Sequence, residues 1–300
     1  MQETNLVGII PVAGPPFDFN FPWHDSLMPI GRDYLAVERS LVECATAGCR
    51  SVWIVCHDDM QPLIRHRLGE AIQDPNVLNR KDVKFTRMWT RTIPIYYVPV
   101  TAKEKKSKDS LVWSIIKGAK VAEKISKSMS KWTAPSGYYV SFPYGVYSPH
   151  LAGVGQQRRS IHSNENYFFS KNDKTAIDNE FLALKLGMPD IDQALKKIKM
   201  TLTGGVFGEY CISNEDDDMI DEKNSPGLIT HRNGPLSMNY AFSHLRDKIQ
   251  ENNTSEVTWY YNIASWEGYR EYLASEHYSK RPIEFILKYR EMVPLFREDL

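Results

Sequence analysis

The chain has little cysteine, no net charge and no long apolar run, and each shortage closes off a class of protein. Four cysteines in 300 residues are too few and too scattered for a disulfide framework. Cys44, Cys49 and Cys56 fall on or beside an expected helix and strand, where small buried thiols are the plain reading, and Cys211 stands apart. Reduced thiols and a cytoplasmic location are expected. Lys plus Arg and Asp plus Glu both number 37, so the formal charge cancels. Nucleic acid and membrane are therefore not expected partners. No apolar stretch approaches the roughly 20 residues that span a bilayer. Met1 to Asn5 lack the basic start and long apolar run of a secretion signal. No Walker A, GxSxG, HExxH or GxGxxG motif occurs, which removes P-loop kinases, serine hydrolases of that class, zincins and ordinary dehydrogenases. There is no internal repeat and no long linker. One domain over 1–300 is expected, with halves at about 1–150 and about 151–300.

What is present is organised around residues 5–58. The apolar run Leu6 to Ile10, followed by Pro11 and Gly14, reads as a buried parallel strand and a tight turn. Next come a loop rich in proline and aromatics, a helix from Leu35 to Thr46 closed by Gly48, and a second strand, Ser51 to Cys56. His57, Asp58 and Asp59 cluster at its end. In an open α/β sheet the carboxyl ends of the strands are where ligands bind.

Ile10-Pro-Val-Ala-Gly14, Leu27-Met-Pro-Ile-Gly31, Val37-Glu38 through Ala47-Gly48-Cys49, and Ser51 to Cys56 together resemble the sugar-phosphate nucleotidyltransferase superfamily. The resemblance implies an α/β, Rossmannoid GT-A-like three-layer sandwich. Its central sheet would be mixed but mostly parallel, and its C-terminal half elaborated. It implies transfer of a nucleotidyl group from a nucleoside triphosphate to a sugar phosphate, with Mg²⁺. It also implies that Pro11, Val12, Ala13 and Gly14 face the nucleotide, with Asp109 and Ser110 at the start of a later helix. The sequence departs from the family in three places. Gly14 is followed by Pro15-Pro16-Phe17-Asp18 in place of Gly-x-Gly-Thr-Arg. Asp25 occupies the position of the family's catalytic Lys. The strand from Gly137 ends in Phe142-Pro143-Tyr144 where the family has a metal-binding Asp.

Further along, helices are expected at Met60–Ile72, Leu111–Ile125, Asp178–Leu186, Ile191–Lys199, Ser237–Gln250, Trp266–Ser275 and Pro282–Arg290. Strands are expected at Arg91–Val100, Gly137–Gly145, Thr203–Ile212 and Glu256–Ile263. Lys103 to Asp109 reads as a charged loop, Leu151 to Lys174 as a polar loop, and Asn214 to Asn224 as an acidic one. Asp25 and Arg32 are the candidate catalytic residues, Asp25 as base or metal ligand and Arg32 as the cation nearest a phosphate. His57 is a candidate ligand contact. His24 and Asp18 share the loop of Asp25. Asp109 and Ser110, like Asp58 and Asp59, would serve equally well as helix N-caps. A nucleotide-sugar-dependent glycosyltransferase and a non-catalytic nucleotide-binding or assembly protein on the same fold stay open beside the transferase reading. An oligomer is compatible with the sequence.

Overall fold

A computed structural model describes residues 5–15, 17, 19, 21, 23–75, 92–130, 134–203 and 236–279. The expected strand beyond Thr203, the acidic run at 214–224 and the closing helix at 282–290 lie outside the described residues, as do Asp18, Arg91 and Cys211. The first half runs β1 (Leu6–Pro11), the hairpin β2 (Pro29–Gly31) and β3 (Tyr34–Leu35), then α1 (Ala36–Thr46), β4 (Ser51–His57), α2 (Gln61–Leu68) and β5 (Ala71–Gln73). It continues with β6 (Thr92–Val100), α3 (Ala102–Lys108), α4 (Leu111–Met129), β7 (Gly137–Val140) and β8 (Gly145–Val146). The second half runs α5 (Gly155–Ile161), β9 (Tyr167–Ser170), β10 (Leu184–Leu186), α6 (Met188–Thr203) and α7 (Met238–Ala241). It closes with β11 (Thr254–Glu256), β12 (Tyr261–Asn262), α8 (Trp266–Ala274) and α9 (Glu276–Ser279).

Eight strands form one sheet in the order β11-β9-β10-β7-β1-β4-β6-β5. Its centre, β7-β1-β4-β6, is parallel, while β10 runs antiparallel between β7 and β9. The alternation of a strand sorts β1 and β4 between two cores. Leu6, Ile10, Val52 and Ile54 face α1, whereas Val7, Ile9, Trp53 and Val55 face α4 and, further along the same layer, α6. That makes three layers. α4 lies unusually close to the sheet because Gly118 has no side chain. A Cβ there would stand 2.8 Å from Val55 Cγ2 and 3.1 Å from Ile9 Cγ2. The two prolines of β6 are tolerated near the sheet edge, where only the three-residue β5 lies beyond.

The structure corrects several sequence expectations. The charged run after Val100 is a helix, because Thr101 and Glu104 close a reciprocal capping box at its start. α2 stops at Leu68, where Gly69 takes a φ of 75° and the chain turns into β5. Asp178 to Leu186 is not a helix. Thr175 caps a short 3₁₀ turn, Asn179 is left-handed, and the chain extends into β10. The polar stretch 151–174 holds α5 and β9. The segment 237–250 breaks after Ala241 into a 3₁₀ turn, and 256–263 splits into β11 and β12.

Candidate ligand site at the strand ends

The turn after β1 is held from beneath. The Val12 and Ala13 amides both donate to the Val55 carbonyl, at 2.8 and 2.9 Å. The Ser114 hydroxyl donates to the Ala13 carbonyl at 2.7 Å. Pro11 has no amide hydrogen, so of the four residues expected to face a nucleotide only Gly14 has an amide that this scaffold leaves over. The turn is a rigid floor and presents no row of donors.

Beside this floor, three separate segments bring their polar residues together. His57 ends β4, Asp109 follows α3, and His24 comes from the aromatic loop. His57 Nε2 donates to Asp109 Oδ1 at 2.8 Å. With an ionised Asp109 this fixes the tautomer and leaves Nδ1 of a neutral His57 as the basic nitrogen. The His24 ring lies 6.4 Å from that of His57. Burial and the neighbouring His57 push His24 down to about 4, so its ring is neutral near pH 7. In that form Nδ1 accepts the Ser26 amide at 3.2 Å. Lys105 stands at the rim, 4.0 Å from Asp59.

The other sequence candidates fall in different places. Ser110 is the N-cap of α4, its hydroxyl accepting the Trp113 amide at 3.1 Å. Asp25 is buried, and its carboxylate accepts the Phe17 amide at 2.7 Å. Burial raises its pKa and that amide opposes the rise. Asp25 thus fastens the aromatic loop. Arg32 is exposed on the turn between β2 and β3 and does not reach the cavity described next.

A cavity of about 480 Å³ opens next to the cluster. Leu111 and Val112, the first residues of α4, form one side, so its wall begins two residues from Asp109. Phe17 and Phe19 come from the loop and Phe142 from the end of β7. Asn179 to Phe181 and Ala264 to Trp266 come from the second half. The site therefore sits between the two halves of the chain, and no Lys, Arg or His is part of its described wall.

A second charged group lies beneath this wall and is wholly inaccessible. Arg39 and Glu43, one turn apart on α1, are 3.2 Å from each other and about 1% exposed. Glu43 also accepts the hydroxyls of Tyr139, Tyr147 and Ser141. Arg39 donates to the Phe142 carbonyl at 3.0 Å, and its guanidinium lies over the Tyr147 ring. The Tyr147 hydroxyl in turn accepts the Ala183 amide at 3.0 Å. One carboxylate thus ties α1 to β7, to the segment that carries Phe142 and to the chain entering β10. The sequence held a signal for it: an Arg and a Glu four apart, with Glu43 set among Leu41, Val42, Cys44 and Ala45. Glu180 and the aromatic wall carried no such local signal.

Among the described residues the strand ends bring together no carboxylate set for a divalent cation. The strand end after β7 offers Ser141, Phe142 and Tyr144, Asp25 is engaged by Phe17, and Asp109 by His57. Among the described residues no group of three His, Cys, Asp or Glu side chains is placed to hold an ion. Mg²⁺ needs oxygen ligands in near-octahedral array.

No protein-family model matches the sequence, and no curated protein does. Solved structures do match the fold. One is a Bacillus anthracis protein assigned as a glucose-1-phosphate thymidylyltransferase and solved with sucrose. It is 9% identical with a TM-score of 0.54, and the match covers 93% of this chain and 98% of that one. The fold is that of the sugar-phosphate nucleotidyltransferases. A UDP-glucose pyrophosphorylase solved with UDP-glucose matches at 10% identity and a TM-score of 0.50, over 90% of this chain and 97% of that one. At such identity the nucleotidyltransferase fold carries over and individual residues do not. Among the described residues no helix is long and apolar enough to cross a membrane.

Proposed function

We propose that the protein is a nucleotidyltransferase-like transferase that joins a nucleoside triphosphate to a small phosphorylated acceptor, with a sugar phosphate as the acceptor the fold suggests. An acceptor phosphate oxygen bonds to the α-phosphorus, the bond from that phosphorus to the bridging oxygen breaks, and pyrophosphate leaves. The observation that carries this reading is the cavity at the strand carboxyl ends, between the two halves and adjoining the His57–Asp109 pair. In this arrangement residues 1–150 hold the nucleotide near His24, His57 and Lys105, and residues 151–300 complete the acceptor side. His57, oriented by Asp109, takes up at Nδ1 the proton of a monoanionic acceptor phosphate as its oxygen attacks. No step is assigned to a metal.

A second reading, binding without turnover, is favoured by the missing carboxylate set at the end of β7. One panel separates the two. Nucleoside triphosphates, nucleotide-sugars and sugar phosphates are tested for a rise in melting temperature, with and without Mg²⁺, alongside an assay for released pyrophosphate. Transfer predicts a shift with one triphosphate and pyrophosphate release on adding an acceptor. A shift without release supports the binding reading. No shift with any member removes both.

A further inference from the structure

We propose that the cavity receives an organic cation, a quaternary or protonated amine, so that the small acceptor is a phosphorylated amine rather than a sugar phosphate. This rests on the transfer reading for its role and on the cavity alone for its chemistry. Five rings face the space: Phe17, Phe19, Phe142, Phe181 and Trp266. They meet at steep angles, 69° between Phe17 and Phe19, 77° between Phe17 and Phe181, 61° between Phe142 and Phe181, and 64° between Phe19 and Trp266. None of these pairs forms a parallel slot. A nucleobase stacks in a slot between parallel faces, whereas a rounded ammonium group uses faces turned toward it from several sides.

Charge points the same way. Glu180 is the one ionisable side chain in the described wall. One of its oxygens accepts the Tyr260 hydroxyl at 2.9 Å and the Asn262 amide at 3.4 Å. Its other oxygen has no partner, and the residue no ion pair, among the described residues. A half-buried carboxylate without a counter-charge, set among aromatic faces, attracts a cation and repels a phosphate. The phosphate of the acceptor would therefore lie outside the aromatic cavity, toward His57 and Lys105.

The test is calorimetric titration of the whole chain with tetramethylammonium, choline, phosphocholine, 3,3-dimethylbutanol, glucose 1-phosphate and guanosine. Choline and phosphocholine are expected to bind, and dimethylbutanol, which has the shape of choline without its charge, to bind at least about tenfold more weakly. That is about 1.4 kcal/mol. Glu180→Gln and Trp266→Leu should each weaken choline by a similar factor while the unfolding midpoint stays near wild type. Trp266 is 57% exposed, so its replacement leaves the fold intact. Equal binding of choline and dimethylbutanol overturns the cation assignment. So does binding of glucose 1-phosphate or guanosine without choline, which leaves the transfer reading standing. If no compound binds but pyrophosphate is released with glucose 1-phosphate, the cation assignment alone falls. Silence in both assays removes both.

Discussion

Two carboxylates, each paired with a nitrogen base, sit near the same end of the sheet and are built differently. Arg39–Glu43 is about 1% exposed on both sides, while in His57–Asp109 the side chains are 6% and 17% exposed. Glu43 accepts from four side chains on α1, β7 and the segments after it, and among the described residues Asp109 accepts from one. Saturation and complete burial mark a tie between structural elements. A single partner, a reachable edge and a neighbouring cavity suit the other pair to the ligand role proposed for it. Polarity near a strand end thus has two uses, and the number of donors on the carboxylate tells them apart.

The comparison breaks most visibly at Glu43. Glu43→Gln leaves Arg39 buried without its counter-charge, and a loss of about 3–5 kcal/mol in unfolding free energy is expected from urea denaturation. Acid comes next. His24 titrates at about 4 in the fold and near 6.5 when free. The unfolded chain therefore binds more protons between these values, and the stability held above pH 6.5 drains away as pH falls toward 4. The contribution is at most about 3 kcal/mol. Unfolding curves at pH 7.5 and 4.5 should show a smaller drop in His24→Gln than in wild type. An equal drop would remove His24 as its source.

Gly145→Ala should have an intermediate effect. Its Cβ would stand 1.9 Å from the Phe181 carbonyl oxygen, so the chain must move. A loss of about 1–3 kcal/mol is expected, along with weakened binding in the cavity that Phe181 lines. The smallest effect on folding is expected at Asp109→Asn, within about 1 kcal/mol of wild type, because it alters one partly exposed hydrogen bond. Turnover in that variant should nevertheless fall by about a hundredfold or more if His57 handles a proton. Pyrophosphate release measured beside the unfolding midpoint checks both halves of that statement.

The centre of the fold was legible because its signals are local. Leu6 to Ile10 and Val52 to Cys56 are apolar runs bounded by turn residues, and both are buried strands. The chain around β10 was opaque for the opposite reason. Leu184–Leu186 is three residues long, and it holds Lys185, which is buried and donates to the Ser163 and Glu165 carbonyls. Nothing nearby in sequence announces those partners. α3 was misread although Thr101 and Glu104 spell a capping box, because the lysines between and beyond them resemble a solvated loop. His57 and Asp109 stood out singly at the ends of elements, and their pairing across 52 positions belongs to tertiary structure. The cavity was invisible in the same way, since residues 17, 142, 181 and 266 share no local pattern.

The most direct test of the division between the two pairs is urea unfolding of Glu43→Gln and Asp109→Asn in one series at pH 7.5. Glu43→Gln is predicted to lose at least about 2 kcal/mol more than Asp109→Asn, the gap between a buried carboxylate with four side-chain donors and a single rim hydrogen bond. Equal losses in the two variants would contradict the account, because His57–Asp109 would then be a tie like the other and would not be a pair held ready at the ligand site.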